Sequence, residues 1–191
     1  MNHNNCSKDW KVLCWNVRGI NSPTRWNSIR DKIQESGCDI VCLQETKRED
    51  FNIFYIRKFC PPAFDSFVFL PSVGASGGSL IVWKGRRFDG ELVFQNAFAQ
   101  SVEFTSLESN AVWYLTNIYA PCTPEGKIEF LEWFSNIDMP DDEDWIIVGD
   151  FNLIKKPEDR NKPRGNINEM FVFNEAISSL GLEEIPLHGR R

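Results

Sequence analysis

The chain has 191 residues, 42% of them hydrophobic, enough to bury one sizeable core. A net charge of −6 excludes a uniformly basic nucleic-acid-binding surface, so any contact with a polyanion has to be local. The polar stretch Met1–Asp9 lacks the apolar segment of a signal peptide and no apolar run approaches bilayer length, so the chain is expected to be soluble and intracellular, nuclear or cytoplasmic, with no membrane partner.

After a polar tail over 1–9, a single domain is expected over 10–191. Its first strand is predicted at Lys11–Val17, followed by a helix over Arg25–Ser36 with Trp26, Ile29 and Ile33 spaced by three and four and with Gly37 as its stop. Short runs rich in Val, Ile and aromatics then predict strands at Asp39–Leu43, Ser66–Leu70, Gly78–Trp83, Ala99–Phe104 and Val112–Tyr119. A second helix is read over Lys127–Ile137, a strand over Trp145–Val148, and a third helix over Asn168–Leu180 closed by Gly181. From about Ser66 to Tyr119 strand follows strand without a helix, which predicts an antiparallel meander between two mixed ends. The resulting fold class is α/β, with two sheets packed face to face and helices outside, although composition leaves an open α/β sheet as the alternative. Six cysteines without a CxxC pair read as reduced thiols and not as a zinc site. The acidic run Asp138–Asp144 reads as a solvated connection, whereas Lys155–Arg164 carries five basic residues against two acidic ones.

The chemistry collects where strands end. Trp15-Asn16-Val17-Arg18-Gly19, Leu43-Gln44-Glu45-Thr46-Lys47 and Val148-Gly149-Asp150-Phe151-Asn152 each close an apolar strand with polar residues, and Asn117-Ile118-Tyr119-Ala120-Pro121 does the same. Carboxyl ends of strands are where α/β folds bind ligands. The set comprises two carboxylates (Glu45, Asp150), the amides of Asn16, Gln44, Asn117 and Asn152, and one phenol, Tyr119. Hard oxygen donors of this kind suit Mg²⁺, with Mn²⁺ as a substitute, and point to phosphoryl chemistry. Asn and Asp also close strands simply by starting turns, and the pattern alone leaves that alternative open. Glu45 resists it best, because it directly follows the apolar run Ile40–Gln44, where an unpaired charge is costly.

These four stretches, in this order, resemble the successive motifs of the endonuclease/exonuclease/phosphatase (DNase-I-like) superfamily, and Gly74-Ala75-Ser76-Gly77-Gly78 fits the same pattern. Asp159-Arg160-Asn161-Lys162-Pro163, Met170, Phe173-Asn174 and Leu182–Leu187 look most like the endonuclease domains of plant non-LTR (LINE-type) retrotransposons. The resemblance implies a four-layer α/β sandwich and Mg²⁺-dependent hydrolysis of DNA phosphodiesters. Under it, Glu45 and Asn16 hold the metal, Asp150 activates water, Asn152 and Asn16 hold phosphate and metal-bound water, and Tyr119 contacts the scissile phosphate or the leaving oxygen. DNA is the implied partner, gripped by Arg18, Lys47, Lys155, Lys156, Arg160, Lys162 and Arg164, and the parent element would carry a fused reverse transcriptase. Relatives continue with an aromatic strand, an Asp-bearing strand and a Ser-Asp-His, none of which lies within the 191 residues; His188 reads as a turn residue. The resemblance therefore implies a chain lacking its last strands, with weak or lost activity. A phosphatase or lipid phosphodiesterase on the same scaffold, and a non-catalytic retroelement remnant, are the competing readings.

Overall fold

The computed structural model describes residues 10–74, 76–138, 144–159 and 166–185. These form two compact units, one from the described parts of Met1–Tyr119 and Asp142–Asp150, the other from those of Ala120–Asp141 and Phe151–Arg191.

The first unit carries eight strands in two four-stranded sheets. One sheet has the order β1-β2-β4-β3, from β1 (Val12–Asn16), β2 (Ile40–Gln44), β3 (Ser66–Val73) and β4 (Ser76–Trp83). The other has the order β5-β6-β7-β8, from β5 (Phe88–Gln95), β6 (Ala99–Ser106), β7 (Val112–Tyr119) and β8 (Asp144–Asp150). β1 runs parallel to β2 and β7 parallel to β8; the remaining pairings are antiparallel. Two packed sheets with helices are thus what the residue pattern predicts, and each predicted strand is present. The middle of the chain is antiparallel, but it is not one meander: the chain leaves the first sheet after Trp83 and opens the second at Phe88.

Side-chain alternation sorts the core into two layers. Ile40, Cys42, Ile81 and Trp83 of the first sheet meet Phe88, Val102, Phe104, Trp113 and Leu115 of the second. Val41, Leu43, Leu80 and Val82 point to the opposite face, against Ile29 and Ile33 of α1 (Pro23–Ser36) and Tyr55 and Ile56 of α2 (Ile53–Ile56). Buried on both faces, β2 reads as a continuous apolar run instead of an alternating one.

The sequence misses β5 and α2. β5 is an edge strand exposed along most of its length, so it carries no burial alternation, and α2 is a single turn. α1 begins two residues earlier than its apolar spacing predicts, because Ser22 caps it, accepting from the Arg25 amide at 3.3 Å, and Pro23 opens it.

The second unit contains α3 (Pro124–Ser135) and α4 (Ile167–Ser179), which enclose an aromatic core: Phe151 lies 5.7 Å from Phe134 and 5.4 Å from Phe173, ring centre to ring centre. α4 ends as Gly181 predicts, with Leu182 N–H donating to Ile177 O and Gly181 N–H to Ser178 O. No described helix is long and apolar enough to cross a membrane.

At the start of β2, Asp39 is 5% exposed and takes Lys84 Nζ at 2.9 Å and Arg87 NH1 at 3.0 Å. Desolvation raises its proton affinity, but the Lys84 hydrogen bond, the Lys11 amide and the two cations outweigh it and hold the carboxyl below its ordinary value. A depressed carboxyl stabilises the fold above the unfolded pKa, about 3.9, and that contribution fades as pH falls through the folded value. Asp39→Asn should therefore cost about 2 kcal/mol at pH 7, discounted from a fully buried pair because Arg87 is partly exposed, and the gap to wild type should close in acid. Urea unfolding at pH 7 and pH 3 measures both; a gap independent of pH contradicts the assignment.

Candidate active site

Alternation along the strands also builds the polar site. On the faces that look between the sheets, β1 presents Val12, Cys14 and Asn16; β2 presents Ile40, Cys42 and Gln44; β7 presents Leu115, Asn117 and Tyr119; and β8 presents Ile146, Val148 and Asp150. Each series starts apolar and ends polar at its carboxyl end. Ser79 of β4 and Gln100 of β6, paired in register with Gln44 and Asn117, add two more polar groups at that end. The space between the sheets is apolar along most of its length and polar where β1, β2, β7 and β8 stop.

The groups are bonded to one another across the sheets. Asn16 Nδ2 donates to Asp150 Oδ2 at 2.6 Å, joining the end of β1 to the end of β8, and Asn16 Oδ1 accepts from the Arg18 amide at 3.2 Å. Gln44 Nε2 donates to Asn117 Oδ1 at 2.5 Å, while Asn117 Nδ2 donates to Leu43 O at 3.4 Å. Gln44, Gln100 and Asn117 are buried, and Gln100 Nε2 reaches Ser79 O at 3.4 Å. The Tyr119 ring lies 4.0 Å from where a Cβ on Gly77 would stand.

Glu45 follows β2 with its carboxylate ion-paired to Lys47 at 3.0 Å, the Glu45 side chain being 20% exposed. Arg18, Glu45 and Lys47 all have positive φ, at 51°, 54° and 54°. They are held there because β1–β2 pairing continues past the strands: Val17 N–H bonds Gln44 O, Gly19 N–H bonds Glu45 O and Ile20 N–H bonds Thr46 O. Such left-handed conformations are unfavourable for residues with a Cβ and mark loops whose shape is imposed by their surroundings.

Cys14 sits on an edge strand and keeps exposed surface, yet its sulfur is crowded by Gln44, Gly149 and Asp150. That crowding governs the thiol. Desolvation and the Asp150 carboxylate push it up to about 11, against the opposing Gln44 hydrogen bond.

The structure thus brings together Asn16 with Asp150, Gln44 with Asn117, and Glu45 with Lys47. Asn152, Lys155 and Lys156 belong to the second unit. There Asn152 Nδ2 donates to Ala120 O at 2.6 Å, Lys155 pairs with Glu184 at 2.8 Å, and Lys156 is exposed. Arg160, Lys162, Arg164, His188 and most of the acidic run at 138–144 lie outside the described residues. Sequence reasoning missed Ser79, Gln100 and Cys14 as members of the polar end; once the strands are drawn, two-residue alternation back from Ile81, Val102 and Asn16 finds all three.

A model of the Endonuclease/Exonuclease/phosphatase family matches residues 13–181. The Transposon TX1 uncharacterized 149 kDa protein of Xenopus laevis is 26% identical over 195 residues, covering 89% of this chain; the chain spans only 13% of that relative. Among solved structures, the AP endonuclease LMAP from Leishmania major is similar with a TM-score of 0.67 at 16% identity, over 89% of this chain and 66% of that one. An AP endonuclease from Archaeoglobus fulgidus gives a TM-score of 0.64 at 17% identity, over 88% of this chain and 70% of that one. At such identities the likeness is one of fold.

Gly149 sets the exit of β8. Its φ is 142°, and a Cβ there would stand 2.0 Å from Ile118 O on β7. Gly149→Ala should cost on the order of 3 kcal/mol, from clash and backbone strain together, and push Asp150 away from Asn16. An unchanged urea midpoint for this variant contradicts the assigned geometry.

Proposed function

We propose that this chain, which belongs to the Endonuclease/Exonuclease/phosphatase family, hydrolyses phosphodiester bonds in DNA as the endonuclease portion of a LINE-type retroelement protein. The observation that carries the reading is the bond from Asn16 to Asp150, which fixes a carboxylate at the polar end of the sheets beside the strand leading to Glu45. Similarity to a transposon protein supports the retroelement setting, and the greater length of that relative suits fusion to further segments such as a reverse transcriptase. Likeness to AP endonucleases supports DNA as the substrate.

The donor set fits a hard divalent cation. Glu45 already holds one positive charge at its carboxylate, and Asn16 offers an amide oxygen. Among the described residues no three His, Cys, Asp or Glu cluster. Waters and substrate phosphate would therefore complete the shell, as is usual for Mg²⁺, with Mn²⁺ able to replace it. Glu45 and Asn16 would hold such an ion, which would supply Lewis-acid polarisation of a phosphoryl oxygen and lower the pKa of water at the site.

The remaining roles fall to the chain's own groups. Asp150, oriented by Asn16, accepts the proton of the attacking water. Tyr119 contacts the scissile phosphate or the leaving oxygen, and the Asn152 amide donates to a non-bridging oxygen. Contacts to the DNA backbone are assigned to Arg18, Lys47, Lys155 and Lys156, and to Arg160, Lys162 and Arg164 outside the described residues.

Two measurements test this. Asp150→Asn should reduce Mg²⁺-dependent nicking of supercoiled plasmid by about 100-fold or more, the range that general-base assistance supplies. Calorimetric titration with Mn²⁺ should show weak binding that Glu45→Gln abolishes. Nicking indifferent to Asp150→Asn, together with metal binding indifferent to Glu45→Gln, overturns the proposal.

A further inference from the structure

The chemistry proposed above leaves a second polar depression of the first unit without a role. It is an open cleft of about 510 Å³, bounded by Asn21 and Trp26, the loop 47–50, Tyr55 of α2, and Ser72 and Gly74 at the end of β3. Arg48 is its distinctive member. The guanidinium carbon lies 3.6 Å from the centre of the Tyr55 ring and 5.8 Å from that of Phe51. Tyr55 is itself anchored, its hydroxyl donating to Ile20 O at 3.0 Å with Asn21 Oδ1 at 3.2 Å.

An arginine held over an aromatic face can still hydrogen-bond through the edge of its guanidinium. That edge is unused by the chain: the Arg48 side chain makes no hydrogen bond or ion pair among the described residues, although Glu49 and Asp50 follow it directly. Its Nε is buried without a partner, and so is the hydroxyl of Ser72, whose amide donates to Arg48 O at 2.9 Å. Ser72 as a whole is 5% exposed. Polar atoms left without partners are unfavourable, and both belong to residues that line this one cleft.

The chemistry of the cleft selects an oxyanion. A stacked arginine with open donors presents a planar fork matching two oxygens of one phosphate. Diffuse attraction of a polyanion is absent, since Lys47 is paired to Glu45 and the exposed Glu49 and Asp50 balance Arg48. Recognition would therefore be a single contact, with the phosphate delivered by the molecule that carries it. Lys47 lines the cleft and also bonds Glu45, so the cleft begins where the candidate active site ends.

We propose that Arg48, assisted by Lys47 and Ser72, binds one backbone phosphate of a nucleic-acid strand, flanking the phosphate that is cleaved. This rests on the DNA reading above. The test is fluorescence anisotropy of a labelled DNA duplex with the full chain in EDTA, where no cleavage intervenes, across a salt series. Arg48→Met, which keeps an apolar stem on Tyr55, should weaken binding about tenfold and make the salt dependence shallower by about 0.9 in log–log slope, the release expected for one lost phosphate contact. Arg48→Lys should keep the slope but regain only part of the affinity, because an ammonium lacks the fork. Inorganic phosphate at millimolar concentration should not compete. Wild-type binding that Arg48→Met leaves unchanged in affinity and slope overturns the subsite and spares the DNA reading; absence of duplex binding by wild type overturns both. Competition by millimolar phosphate assigns the cleft to the free ion and overturns the backbone proposal. Should Arg48→Met lower the thermal midpoint, Arg48→Lys decides: reduced affinity at constant slope supports the site, and unchanged affinity overturns it.

Discussion

Polar side chains enclosed between two sheets must bond one another, because no water replaces a missing partner without cost. That constraint governs the end of the inter-sheet space. Asn16 is committed to Asp150 across the sheets, and Gln44 to Asn117. Each bond ties a strand of one sheet to a strand of the other near their carboxyl ends. The apolar layer of Ile40, Cys42, Val102, Phe104, Trp113 and Leu115 holds the sheets together over the rest of their length, so the polar groups are spaced by a rigid support and not by their own flexible loops.

Several local features at this end work against stability. Arg18, Glu45 and Lys47 occupy left-handed backbone, Thr46 Oγ1 and Gln100 Oε1 are buried without partners, and the Glu45 side chain is partly enclosed. Gly78 belongs to the same arrangement: with φ at 81°, its missing Cβ leaves room for the Thr46 hydroxyl, which would stand 2.5 Å from that atom. Strain and unsatisfied polar atoms gathered at one end of a well-packed unit are the usual signature of a site kept for chemistry at the expense of fold energy.

Charge follows the same division. The strong ion pairs that serve the fold, Asp39 with Lys84 and Arg87, sit at the beginning of β2, remote in register from Gln44 at its other end. Near Gln44 the cations are held singly: Lys47 on Glu45, and Arg48 on the Tyr55 ring. A chain of net charge −6 attracts a polyanion poorly at long range. The proposed binding through a few geometrically fixed cations suits that balance better than a broad basic surface would.

The sequence by itself determined the element types, the two-sheet α/β class and the four strand-end motifs, because alternation and apolar spacing are local properties of the chain. Asn16, Glu45, Tyr119 and Asp150 stood out for the same reason: polar residues closing apolar strands are visible without any knowledge of what those strands face. It did not disclose β5, whose exposed edge position removes the alternation, nor the division of the middle strands between two sheets, which is a matter of pairing partners. Only the tertiary structure decided that β1 lies opposite β8, so that Asn16 meets Asp150 across 134 residues of sequence. It likewise decided that Ser79 and Gln100 join the polar end, and that Arg48 lies on Tyr55 with its donors open. These are long-range juxtapositions set by sheet order and packing, and no local pattern in the chain encodes them.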